Sequence, residues 1–237
     1  MSTYILVHGA WHGAWCWQKL LPLLEARGHK VLTPDLPALG GDKTPIADVT
    51  FQSYVDRVCR CIDGETEPVI LVGHSMSGMV ITQAAEQRPQ NVRVLVYLAA
   101  FLPQSGESLV QLAEQMDGSL IHPNMIFSAD GSYVSLAGEI SRQAFYADCA
   151  GEDADSALAQ LVPQATAPLA TPVRTTAENY GRVKRVYITC LLDQAIPPAY
   201  QKKMYLATPC EKVFSLNAGH SPFLSTPDEL AQQLLSL

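Results

Sequence analysis

The chain has 237 residues, 48% of them hydrophobic and 16% charged, with 16 basic against 23 acidic side chains and a net charge of −7. That composition suits one globular domain with a substantial core and excludes a disordered chain. The longest basic run is the pair Lys202–Lys203, which argues against a nucleic-acid footprint or a polybasic membrane anchor.

In chain order, "YILVHG" (Tyr4–Gly9) is an apolar strand run that ends in glycine. "WCWQKLLPLLEARG" (Trp15–Gly28) has apolar residues at helical spacing and a glycine stop. "HKVLTPDLP" (His29–Pro37) reads as a short strand, and "TFQSYVDRVCRCID" (Thr50–Asp63) as an amphipathic helix. "PVILVG" (Pro68–Gly73) is a buried strand, and from Ser75 a helix runs to Arg88–Pro89. "VRVLVYLAAF" (Val92–Phe101), "RVYITC" (Arg185–Cys190) and "EKVFSL" (Glu211–Leu216) are further strands. "TPDELAQQLLSL" (Thr226–Leu237) is a last helix, with Thr226 and Asp228 as capping candidates.

Nearly continuous apolar strands alternating with helices are the pattern of a mainly parallel sheet covered on both faces. The expected fold is a doubly wound α/β domain of about six strands. From about Pro103 to Tyr180 no buried strand is evident, and amphipathic pieces such as "ESLVQLAEQM" (Glu107–Met116) recur. A structureless loop of that length is improbable in a compact domain. Residues 1–102 and 181–237 therefore read as the core, and 103–180 as a helical cap inserted into the same domain.

No uncharged apolar run reaches the ~18 residues of a spanning helix. "MSTYILVHGAW" lacks the basic start and long apolar centre of a signal peptide, so a cytosolic protein is expected. The six cysteines are scattered with no CxxC pair, which favours reduced structural thiols. No phosphate-binding glycine motif or metal-ligand cluster stands out, so no cofactor and no metal is expected.

One stretch carries chemistry. "GHSMSG" (Gly73–Gly78) places Ser75 where a buried strand gives way to a helix. It departs from a strict G-x-S-x-G by having Ser77 at the last position and glycine one place later. A serine on such a turn is strained and projects its hydroxyl beyond the sheet edge, with helix N–H groups behind it. Ser75 is the candidate nucleophile. It needs a base, and His220 in "LNAGHSPFL" follows the last strand. Asp193 in "CLLDQAIPP" lies between them in chain order and is the candidate orienting acid. Two backbone donors, Ala10 in "VHGAWHG" and Met76, are candidates for an oxyanion hole.

Of the other histidines, His8 is expected to brace the first loop and His74 to pack beside the nucleophile, while the role of His12 stays open, a structural one being favoured. His29 and His122 read as ordinary surface or turn residues. Trp15 and Trp17 read as core. Trp11, Leu109, Phe127, Phe145, Tyr146 and Leu161 are candidates for lining a substrate pocket.

The segments "ILVHGAWHGAWCWQKLLPLLEARGHKVLTPDL", "LVGHSMSGMVI", "VYLAAFLP", "VYITCLLDQAIPPAYQKKM" and "AGHSPFLSTPDEL" resemble the α/β-hydrolases that group plant methyl esterases, salicylate-binding esterases and hydroxynitrile lyases with bacterial esterase relatives. The resemblance implies a Ser75–Asp193–His220 triad, an oxyanion hole at Ala10 and Met76, no cofactor, a small-molecule ester substrate and, often, a homodimer. Lyases of the group carry threonine after the first-strand histidine and lysine after the triad histidine. This chain has Gly9 and Ser221 there, which moves the expectation toward an esterase, with lyase, carbon–carbon hydrolase or non-catalytic receptor as alternatives.

Overall fold

The computed structural model describes residues 1–237. Strand β1 (Thr3–Val7) is buried from Tyr4 onward, as an apolar strand with helices over both faces must be. The predicted helix over 15–28 is split into a 3-10 turn (Ala14–Trp17) and a short α1 (Leu21–Glu25). Pro22 explains the break: it lacks an N–H and is tolerated only in a first helical turn. Gly28, at φ +79°, turns the chain into β2 (Lys30–Leu32). Helix α2 (Phe51–Asp63) begins at a capping box in which Thr50 and Ser53 each accept the other's backbone N–H. Strand β3 (Val69–His74) is buried throughout, and α3 (Ser77–Gln87) and β4 (Val92–Leu98) follow.

The insertion comes next, with α4 (Leu109–Glu114), β5 (Ile126–Phe127), β6 (Tyr133–Ser135), α5 (Gly138–Tyr146), α6 (Gly151–Leu158), β7 (Gln164–Ala165) and α7 (Ala167–Ala170). It is not purely helical. β5, β6 and β7 form a small antiparallel sheet. Strands of two or three residues are too short to show a period-two pattern, so sequence periodicity misses them. The chain returns through β8 (Lys184–Cys190), α8 (Pro198–Ala207), β9 (Lys212–Leu216), α9 (Pro222–Ser225) and α10 (Pro227–Leu235). Thr226 does not cap α10; its hydroxyl donates back to the Pro222 carbonyl (3.5 Å), and Pro227 starts the helix.

The large sheet is parallel throughout, in the order β2-β1-β3-β4-β8-β9. The direction of winding reverses between β1 and β3. In open α/β sheets the crevice beyond the strands' carboxyl ends at such a reversal is where ligands bind. The loop after β1 and the turn after β3 therefore face the site that the topology selects. Glu86 on α3 holds the far end of the insertion: its carboxylate accepts from Thr176 N (2.8 Å), the Thr176 hydroxyl (2.8 Å), Asn179 Nδ2 (3.0 Å) and Tyr180 N (3.1 Å). No helix is long and apolar enough to cross a membrane.

Candidate active site

Ser75 follows β3 at φ +54°, a left-handed conformation that costs a residue with a Cβ. Its neighbours hold it there. Ser75 N donates to Leu98 O (3.3 Å), and its carbonyl accepts from Gly78 N (3.1 Å) and Phe101 N (3.1 Å). A Cβ on Gly73 would lie 2.7 Å from Ser77 O, and one on Gly78 would collide with the Phe101 carbonyl. These are the two positions that need glycine. Position 77 does not: the Ser77 side chain is buried and its hydroxyl donates to the His8 carbonyl. The departure from strict G-x-S-x-G thus adds a tie between the turn after β3 and the loop after β1.

His220 follows β9 and Asp193 follows β8, both buried. His220 Nδ1 donates to Asp193 Oδ2 at 2.8 Å. Asp193 Oδ1 accepts from Ala195 N (2.8 Å) and Ile196 N (2.9 Å). His220 Nε2 is the ring nitrogen left free. The His74 ring lies against it at 4.5 Å between centroids, and His74 Nε2 donates to the His220 carbonyl at 2.8 Å. Since His74 precedes Ser75, this bond joins the histidine loop to the serine turn. Ser75 Oγ and His220 Nε2 are not hydrogen-bonded to each other here; such bonds commonly tighten only when substrate is bound.

The loop after β1 is locked by neutral histidines whose tautomers follow from their partners. His8 donates from Nδ1 to Gly9 O (2.9 Å) and accepts from Leu36 N (3.1 Å) at Nε2. His12 donates from Nδ1 to Ala10 O (2.7 Å), and its Nε2 accepts the Tyr146 hydroxyl of α5 (2.7 Å). Trp11, at φ +63°, donates from Nε1 to Val134 O (2.9 Å), and its carbonyl accepts Val162 N (3.1 Å). The backbone N–H groups of Ala10 and Met76 have no acceptor within the chain.

Between these groups lies a small cavity, lined by 15 residues of which 13 are hydrophobic. Ala10, Trp11, Ser75 and Met76 come from the first two loops, and Ala195 and Ile196 from the Asp193 loop. The insertion closes it, and also grips the Asp193 loop through Leu120 N to Gln194 O (2.9 Å) and the Ser119 hydroxyl to Ala195 O (2.7 Å). No group of three or more His, Cys, Asp or Glu side chains is placed to hold a metal ion.

A family model described as "Alpha/beta hydrolase family" matches residues 4–233. This chain belongs to the alpha/beta hydrolase family. Methylesterase 9 of Arabidopsis thaliana is 31% identical over 251 residues, covering 100% of this chain and 98% of that protein. A carbendazim hydrolyzing esterase of Nocardioides sp. (strain SG-4G) is 33% identical over 244 residues, with all of both chains covered. The crystal structure of polyneuridine aldehyde esterase superposes with a TM-score of 0.91 at 29% identity, covering 100% of this chain and 98% of that one.

Within this hydrolase, three of the expected pocket residues line the cavity and three do not. Trp11, Leu109 and Phe145 do. Phe127 is 59% exposed on the two-residue edge strand β5, where neither side chain is covered. Tyr146 sits one helical step from Phe145, so it points instead to His12. Leu161 packs half-buried against the core beyond α6. Sequence reasoning missed Met116, Ile121, Met125 and His122, an exposed residue at the cavity's mouth. A signal existed for one of them: Leu109, Ala113 and Met116 fall at i, i+4 and i+7 of the predicted "ESLVQLAEQM" stripe. His29 also lies against the core, its ring 5.2 Å from that of Tyr4.

The buried histidines set an acid limit on the fold. Burial holds His8 below its ordinary 6.5, lowers His12 to about 3, and holds His74 well below 6.5. The unfolded chain takes up these protons near pH 6.5 and the native chain does not. Stability is therefore full above that pH and is lost as pH falls below it, for His12 until about pH 3, by up to about 1.4 kcal/mol per pH unit for a histidine that stays neutral. Urea midpoints will stay level from pH 7.5 to about 6.5 and fall steadily from there to pH 4.5. His12→Phe is expected to flatten that slope; an unchanged slope would mean that His12 is protonated in the native state.

Proposed function

We propose that this protein is a carboxylic ester hydrolase that works through an acyl-enzyme on Ser75. The reading is supported by a strained serine that opens into an apolar cavity lined also by the two residues with unpaired backbone donors, and by an imidazole, held by a buried carboxylate, that packs against Phe145 of the same cavity. Ser75 Oγ attacks the ester carbonyl and His220 Nε2 accepts its proton. The N–H groups of Ala10 and Met76 bind the oxyanion as the tetrahedral intermediate forms. The carbon–alkoxide bond breaks, the alcohol takes the proton from His220, and the acyl group stays on Ser75. Water, deprotonated by the same imidazole, then releases the acid. Asp193 keeps the proton on Nδ1, so that Nε2 is always the accepting nitrogen.

Uncharged esters with apolar acyl or alcohol groups fit the lining, whose one ionisable side chain other than Ser75 is His122 at the mouth. A lyase reading is disfavoured by position 9. A Cβ on Gly9 would lie 2.9 Å from both His74 Nδ1 and Ser75 Cβ, so a threonine there would displace the nucleophile. Ser221, buried beside His220, brings no positive charge. The six free cysteines suit a cytosolic setting.

A panel of short-chain p-nitrophenyl, methyl and aryl esters tests the proposal, together with mass spectrometry after treatment with a fluorophosphonate. Turnover of several esters and a single adduct on the peptide carrying Ser75 are expected. Cleavage of mandelonitrile without ester turnover, or labelling elsewhere, would overturn it.

A further inference from the structure

Gln201 sits on α8 behind Asp193 and is fully buried. A buried primary amide needs partners at both ends, and this one has them. Oε1 accepts from the Thr189 hydroxyl (2.8 Å) and Cys190 N (3.2 Å). Nε2 donates to Ile196 O (2.7 Å) and to Asp193 Oδ2 (3.0 Å), with the Cys190 carbonyl a longer third acceptor at 3.5 Å. Two donors on one end and three acceptors on the other leave a single orientation for the amide. The Asp193 oxygen it meets is the one that receives His220 Nδ1.

We propose that Gln201 is a positioning residue for catalysis, acting through Asp193 to aim His220. The inference rests on the triad reading above. Asp193 Oδ1 is fixed by two backbone donors, but the angle of Oδ2 toward His220 is set by the side chain of Gln201 alone among the chain's other groups. One lone pair of Oδ2 is taken by the Gln201 amide, and the imidazole meets the other. The same amide ties the end of β8 to the start of α8, so it fixes the shape of the loop that carries Asp193. Replacing it by an apolar side chain lets the carboxylate turn. The imidazole then loses its aim without losing contact with substrate.

The test compares Gln201→Leu with the intact protein, alone and in an Asp193→Ala background. On the best ester of the panel, Gln201→Leu is expected to lower kcat about 10- to 100-fold with KM within about twofold. It should add no further loss once Asp193 is gone, because the residue acts only through that carboxylate. The proton on His220 Nδ1, which hydrogen-bonds to Asp193, gives a far-downfield NMR signal that His220→Ala abolishes. Gln201→Leu should shift or broaden it. If the leucine variant fails to fold by circular dichroism, Gln201→Met, with a flexible side chain of similar length, is read the same way. An unchanged kcat, an equal loss in both backgrounds, or an unmoved resonance would overturn the inference. If the intact protein hydrolyses no ester, the proposed function fails, and the resonance alone decides for Gln201.

Discussion

Ser75→Ala is expected to lower kcat for ester hydrolysis by about 10⁶-fold, the loss typical of removing a triad nucleophile. Nothing nearby can take its place. His8 and His12 have both ring nitrogens engaged, and His74 is buried and bonded to the His220 carbonyl. The substitution removes one oxygen and keeps the Cβ, so the strain at φ +54° and the contacts of the turn are unchanged. The melting temperature should therefore stay within a degree or two of the parent protein while turnover and fluorophosphonate labelling vanish. Hydrolysis at the parent rate by the folded variant would remove Ser75 from the chemistry.

Asp193→Asn has the second-largest expected effect, about a 10⁴-fold loss in kcat with KM little changed. The geometry dictates how the new amide sits. Ala195 N and Ile196 N both donate to Oδ1, so the amide oxygen stays with them. The NH₂ then takes the place of Oδ2, facing His220 Nδ1 and the donating Nε2 of Gln201. To avoid two donors meeting, His220 must carry its proton on Nε2, and an imidazole in that tautomer cannot accept a proton from Ser75. Steady-state kinetics on the same ester check this. A variant retaining more than a tenth of kcat would show that the carboxylate is not what orients the base.

The alternation of apolar strands with helices made the sheet legible in the sequence, because strands buried on both faces have few polar residues to obscure them. The placement of Ser75, Asp193 and His220 was legible for a related reason. Each lies just beyond a strand end, and strand ends can be read from where the apolar run stops. The insertion was harder. Its strands are two or three residues long, and its packing is decided by tertiary contacts rather than by local pattern. Phe127 and Met125 are equally apolar in the sequence, yet one faces outward and the other lines the cavity. The hydrogen bonds of His12 and Gln201 had no local signature either, since their partners lie 134 and 8 residues away along the chain.

Trp11 and His12 hold three hydrogen bonds to the insertion, through Val134, Val162 and Tyr146. These two residues directly follow Ala10. The selectivity of this molecule and its speed are consequently not separate dials. Redesign that reshapes residues 133–162 to admit bulkier compounds will slow every substrate, old and new alike. Changes at Leu109 or Leu169, whose side chains form cavity wall without touching that loop's hydrogen bonds, offer the route to altered preference at undiminished turnover.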